Sequence, residues 1–274
     1  MLWAFLSIIS GLGDATMFAL MKKLKEVNTS IIVWIQHLFA LPFLLAFLYF
    51  AYPQKINFDV YWIAALNGIL LLVSTYFLVK ATQIGRLSTT MPMLSFTPIF
   101  LIFMSYIMLN ELPTTFGFIG IFLIVIGAYI VNIKENKNEF LEPFKSIFKE
   151  KNSLYILIVA FIWSITANLF KKGLLVSNPI YFSVLVYLFI SIIMIPIIFI
   201  NHKQRITEIK SNFNVFMLLG FSSAFSVISA AYSMLFAIVP YVISLKRSSV
   251  IFSIFYGYFM FKEKNIKNAL IGTV

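Results

Sequence analysis

Nine times along this chain an apolar run is closed by a short polar break, at 2–21, 31–50, 60–80, 87–109, 115–133, 153–171, 180–200, 213–236 and 240–261. A helix rises about 1.5 Å per residue, so about 20 residues cross the roughly 30 Å hydrocarbon core of a bilayer. Barrel strands need only about 9–11 residues, and a segment in hydrocarbon must satisfy its own backbone groups, so these runs predict membrane-spanning helices. Composition agrees: 61% of residues are hydrophobic, 11% are charged and the mean hydropathy is +0.95. A soluble domain carries about 25% charged residues, and this chain has too few to cover a watered surface. The first run has no basic leader and contains Asp14, so it reads as a retained span and not a signal peptide. A tenth helix is expected from Ile266, cut short at Val274.

Several function classes fall away. With no cysteine there is no disulfide, thiolate nucleophile or Cys metal site. The two histidines, His37 and His202, are too far apart in sequence to suggest a metal centre, and no cofactor is expected. The net charge of +11 falls mainly between apolar runs, as in the loops of a membrane protein, so no nucleic-acid partner is expected. No HExxH, GxSxG or P-loop occurs, which leaves a membrane enzyme as an alternative without a catalytic constellation. Any driving energy then comes from an ion gradient or from the solute's own.

One polar connection, 134–152, divides the chain. It is either a solvated linker or a short amphipathic surface helix, since Phe140, Phe144, Ile147 and Phe148 recur at helical spacing. The two sides repeat each other. Shifted by 152 positions, the window from Ile99 to Phe122 meets its counterpart with nine identities in 24 residues, among them Glu111 with Glu263 and Gly120 with Gly272. At a slightly different shift Lys22, Asn28, Leu38 and Phe39 meet Lys172, Asn178, Leu188 and Phe189. Five spans is an odd number, so the second half must cross in the opposite sense. The predicted architecture is an all-α membrane protein of ten helices in two inverted five-helix repeats, 1–133 and 153–274. Inverted repeats of this kind characterise secondary transporters, which hold substrate near the midplane between the halves.

The stretches GRLSTTMPMLSFTPIFLIFMSYIMLNELPTTFGFIGIFLIVIGAYIV and VPYVISLKRSSVIFSIFYGYFMFKEKNIKNALIG resemble the EamA-type transporters of the drug/metabolite transporter superfamily. In that family each half has a helix closing on a Glu, followed by a Gly-rich helix. Asn110-Glu111, Lys262-Glu263, Gly117, Gly120 and Gly127 follow that pattern. The resemblance implies ten helices around a central cavity and transport of amino acids, sugars, nucleotides or other small metabolites. A translocase for lipid or lipid-linked sugar on the same scaffold is the nearest alternative. The expected partners are a small solute, membrane lipid and a proton or other coupling ion, in a monomer or dimer of the cell membrane.

Ionisable groups inside spans are costly, about 2.5–3.5 kcal/mol on insertion scales, and are candidates for function. Asp14 is a candidate for binding a cationic group, for carrying a coupling proton, or for pairing with a basic residue. Lys246 and Arg247 adjoin in the ninth span, about 100° apart on a continuous helix, so one of them, Arg247 first, is expected as an anion clamp or as the partner of Asp14. His37 is a second proton-coupling candidate. Tyr76, Trp163, Asn168 and Tyr232 lie deep in spans with polar tips and are candidate cavity residues. Lys80 is expected to snorkel to the interface. Glu111 and Glu263 are read as structural, each near the start of the helix that follows it. Sixteen basic residues follow odd-numbered spans and three follow even ones, which puts the N-terminus outside. The resemblance implies cytoplasmic termini, and the charge count is preferred for this chain.

Overall fold

The computed structural model describes residues 1–51, 56–133, 151–201 and 207–263. The first half comprises α1 (Leu2–Lys23), α2 (Thr29–Phe50), α3 (Asp59–Ile84), a broken fourth span and α6 (Thr115–Ile133). That fourth span is α4 (Leu87–Thr90), a 3-10 turn (Met91–Phe96) and α5 (Thr97–Leu109). The second half comprises α7 (Lys151–Leu175), α8 (Pro179–Asn201), the short α9 (Thr207–Ser211), α10 (Phe213–Phe236), and a ninth span split into α11 (Val239–Lys246) and α12 (Ser248–Phe261). Among the described residues there is no strand, and seven helical stretches are long and apolar enough to cross a membrane. Most of the 134–152 connection and the tenth helix expected from Ile266 lie outside the described residues, as does His202; Lys151 and Asn152 already belong to α7.

The protein is an integral, multi-pass membrane protein turned inside out relative to a soluble one. On α1, Leu2, Phe5, Ile8 and Leu12 are exposed at successive turns, while Ser7, Ser10 and Asp14 are buried. Large apolar faces of this kind are stable only where hydrocarbon covers them. The buried polar side chains then have to satisfy one another. Ser7 meets Ser233 at 2.7 Å and Ser10 meets Ser226 at 3.1 Å, so a zipper of hydroxyls joins α1 to α10.

The repeat is visible in local structure. Asn28 caps α2 through the Ser30 N–H at 2.9 Å, and Asn178 caps α8 through the Ile180 N–H at 2.8 Å. The fourth span of each half ends in the same turn. Asn110 and Lys262 take left-handed φ values of 55° and 51°, and the next N–H reaches back to Ser105 O and Gly257 O, respectively. This is the Schellman arrangement, which satisfies carbonyls that a helix end leaves free. Packing between halves is reciprocal as well: α1 lies on α10 as α3 lies on α7, and α1 on α12 as α5 on α7.

That turn moves Glu111 and Glu263 away from the role expected of them. Among the described residues the Glu111 carboxylate accepts nothing from α6, the helix after it. Glu263 accepts from the Leu87 and Ser88 N–H groups of the first half at 3.0 Å each, and Glu111 accepts from the Val239 N–H of the second half at 2.8 Å. Each half therefore caps the fourth span of the other. Lys22 Nζ lies 3.0 Å from Glu263 and donates to the Gly85 carbonyl at 2.7 Å. Lys171 Nζ lies 2.5 Å from Glu111 and donates to the Ala237 carbonyl at 2.9 Å. The counterpart of Lys22 is thus Lys171, and not Lys172 as the ungapped alignment suggested.

Burial alone would push the Glu263 carboxyl up. The hydrogen bonds from Ser88 and the Lys22 ammonium outweigh it and hold the group below its ordinary value.

Candidate functional site

The two broken spans place the chemistry. In the first half Pro98 has no N–H for the Leu94 carbonyl, and Thr97 Oγ1 takes that acceptor instead at 2.6 Å. In the second, the break falls at Arg247, whose ψ of −7° interrupts the helix between Lys246 and Ser248. The position is equivalent, since Ser95 in the 3-10 turn lies 152 residues before Arg247. The ψ of Arg247 acts only after its own Cα, so Lys246 and Arg247 keep the spacing of consecutive helical positions, yet both long side chains line one cavity.

That cavity has a volume of about 130 Å³ and lies between the halves, with walls from α1, α2, α3, α7, α8, α10 and α11. Asp14 reaches it because Gly11 and Gly13 let α1 approach closely. A Cβ on Gly11 would stand 2.8 Å from the Lys246 carbonyl, and one on Gly13 would stand 3.0 Å from Ser226. Ser226 Oγ donates to Asp14 Oδ1 at 2.5 Å, and Lys246 Nζ sits 3.2 Å from Asp14 Oδ2 as an ion pair without hydrogen-bond alignment. The basic partner of Asp14 is therefore Lys246. Arg247, 4% exposed, is left over.

Its guanidinium lies 5.2 Å from the Trp163 ring, and its Nε and Nη1 have no hydrogen-bond partner. Trp163 Nε1 is likewise unpaired. Elsewhere on the wall the free groups are acceptors. Gln36 Oε1 has no partner, and His37 Nδ1 bonds the Val33 carbonyl at 2.8 Å, so Nδ1 carries the proton and the unpaired Nε2 presents a lone pair. The Tyr187 ring holds His37 edge-on at 4.8 Å, and its hydroxyl bonds Ser223 at 3.0 Å. Lys246, Arg247 and Asp14 carry formal charges of +1, +1 and −1, a net +1 for these three wall residues.

Asp14, His37, Trp163, Lys246 and Arg247 thus come together. Tyr76, Asn168 and Tyr232 do not reach the wall. Tyr76 is 37% exposed beside Lys80, whose Nζ lies over the Tyr76 and Tyr155 rings at 5.8 and 5.7 Å. Asn168 is spent within the helices, donating to Ser164 O at 2.7 Å and accepting from Ser105 at 2.9 Å. Tyr232 packs against the apolar core. The wall also holds Gln36, Asn67, Tyr187, Ser223 and Ser226, which sequence reasoning passed over. Each is a polar residue deep in a span, the same signal that selected Trp163. Asn67 is occupied in bridging α3 to the Thr166 carbonyl at 2.8 Å. Among the described residues no three His, Cys, Asp or Glu side chains converge as metal ligands would.

Residues 1–133 and 151–274 match the sequence model of the EamA-like transporter family. No curated protein matches the chain.

Proposed function

Since the chain belongs to the EamA-like transporter family, we propose that it is a secondary transporter that carries a small solute with a carboxylate or similar oxyanion through the midplane cavity by alternating access. The observation that carries this reading is Arg247: a buried guanidinium with two unpaired donor nitrogens, beside the unpaired Trp163 N–H. Unmet donors on a buried charge are expensive, and solute oxygens that accept from them lower the cost. The unpaired acceptors on Gln36 and His37 suit a second, donor-bearing end such as an amine or hydroxyl.

A cavity of about 130 Å³ is well below the roughly 300–1,000 Å³ of drug-sized pockets, and this favours a metabolite of a few heavy atoms over a lipid-linked sugar. Asp14, paired with Lys246 and bonded to Ser226, is the proton-coupling residue of this scheme, with His37 beside it on the wall.

The test is thermal unfolding of the purified protein against a library of small acids, amines and zwitterions. A ligand present at 100-fold its Kd raises stability by about 2.7 kcal/mol. Carboxylates or zwitterions should raise the unfolding temperature of the parent and leave Arg247→Met unmoved. Hits confined to cations, or hits retained in Arg247→Met, would defeat the assignment.

A further inference from the structure

Two polar clusters outside the cavity have the same composition and stand at opposite ends of the helices. At the end of α1, Lys22 and the N–H groups of Leu87 and Ser88 hold Glu263, and the Gly85 carbonyl accepts from Lys22. At the other end, where α5 finishes and α11 starts, Lys171 and the Val239 N–H hold Glu111, and the Ala237 carbonyl accepts from Lys171. Gly85, Leu87 and Glu111 of one half correspond to Ala237, Val239 and Glu263 of the other, each 152 residues on. Both clusters join the tip of a broken span in one half to the first and fourth spans of the opposite half. Both are closed in this structure, and the cavity lies between them.

We propose that these clusters are reciprocal gates, the Lys22–Glu263 cluster on the face where α1 ends and the Lys171–Glu111 cluster on the opposite face, released one at a time. This rests on the transport reading. Rocking one half against the other about the pseudo-two-fold axis separates the half-to-half contacts at one face and presses them together at the other. Each carboxylate is held by an ammonium and by backbone N–H of the opposite half, one for Glu111 and two for Glu263, so release breaks charge-assisted bonds together and gives a switch with two distinct states. Side-chain exposures of 15% and 5% in one pair and 11% and 16% in the other place both between the dry interior and open water. Their matched chemistry keeps either face from dominating, a condition for a cycle that visits both. The Glu263 carboxyl, held below its ordinary value, stays ionised at neutral pH, so this gate opens by movement and not by protonation.

The chain has no cysteine, so a single Val227→Cys on the cavity wall is a clean reporter. Its labelling by a membrane-impermeant maleimide is measured from each face of oriented vesicles. Lys22→Met leaves Glu263 in place as a cap and should raise labelling through the face where α1 ends by about tenfold relative to the other, the shift expected for some 1.4 kcal/mol of lost latch. Lys171→Met should shift the ratio the opposite way, and Lys22→Arg should return it toward the parent. Should the Met variants fail to fold, Glu263→Gln and Glu111→Gln, which keep an acceptor for the backbone, decide by the same readout. An unchanged ratio in both, or a shift to the same face in both, overturns the proposal. The labelling needs no substrate. Opposite shifts without any transported solute would therefore sink the transport reading and leave the gates standing.

Discussion

Replacing Arg247 by Met removes the guanidinium and keeps most of the side-chain stem. In the empty protein this relieves two buried unpaired donors, Nε and Nη1, at about 1–3 kcal/mol each. It forfeits the contact with Trp163 at 5.2 Å, about 2 kcal/mol when desolvated, and part of the attraction to Asp14. The terms nearly cancel, and the stability of the empty protein should move by no more than about 2 kcal/mol either way. Binding is a different matter. Two hydrogen bonds from a charged group are worth about 3–6 kcal/mol, so affinity for an oxyanion should fall about 10²–10⁴-fold. A purely structural Arg would behave oppositely. Breaking a buried pair costs about 3–5 kcal/mol, a drop of about 6–20 °C in unfolding temperature, with uptake per folded molecule retained. The assay pairs thermal unfolding in detergent with uptake into proteoliposomes, normalised to folded protein. A large thermal loss with intact uptake would refute the clamp.

Asp14→Asn keeps the Ser226 hydrogen bond but strips Lys246 of its counter-charge; gradient-driven accumulation should vanish while solute exchange continues, and an unchanged pH dependence of uptake would count against proton coupling. Gly11→Ala places a Cβ 2.8 Å from the Lys246 backbone and should cost about 1–3 kcal/mol of stability, whereas Gly120→Ala, with nothing within 4 Å, should be neutral or stabilising by up to about 1 kcal/mol in the same unfolding assay. Because the Glu263 carboxyl is depressed on folding, its contribution is complete above the ordinary value of 4.5 and is lost as pH falls through the folded value. Glu263→Gln should therefore be less stable than the parent near neutrality, with the gap narrowing in acid; a gap constant with pH would mean that the ionised carboxylate is not what matters.

The spans, their duplication and the inverted sense of the second half are legible in the chain because each depends only on the order of residues. Run length against bilayer thickness makes helices, and an odd number of spans inverts the repeat. Asp14 and Arg247 stand out because ionisable groups in hydrocarbon are rare and costly. What the sequence could not resolve is which way each helix faces. A soluble helix reveals its buried face by amphipathicity, but here lipid and interior are both apolar, so Tyr76 and Trp163 look alike until the helices are assembled. Only the tertiary structure turns Trp163 onto the cavity wall and Tyr76 away from it. The same holds for partners. Glu111 and Glu263 look like caps for the helices beside them, and a left-handed turn carries each to a backbone more than a hundred residues away. Nor can Lys-Arg-Ser-Ser alone show that the helix breaks at Arg247, or that both cations line one cavity while two donors of the guanidinium stay unpaired.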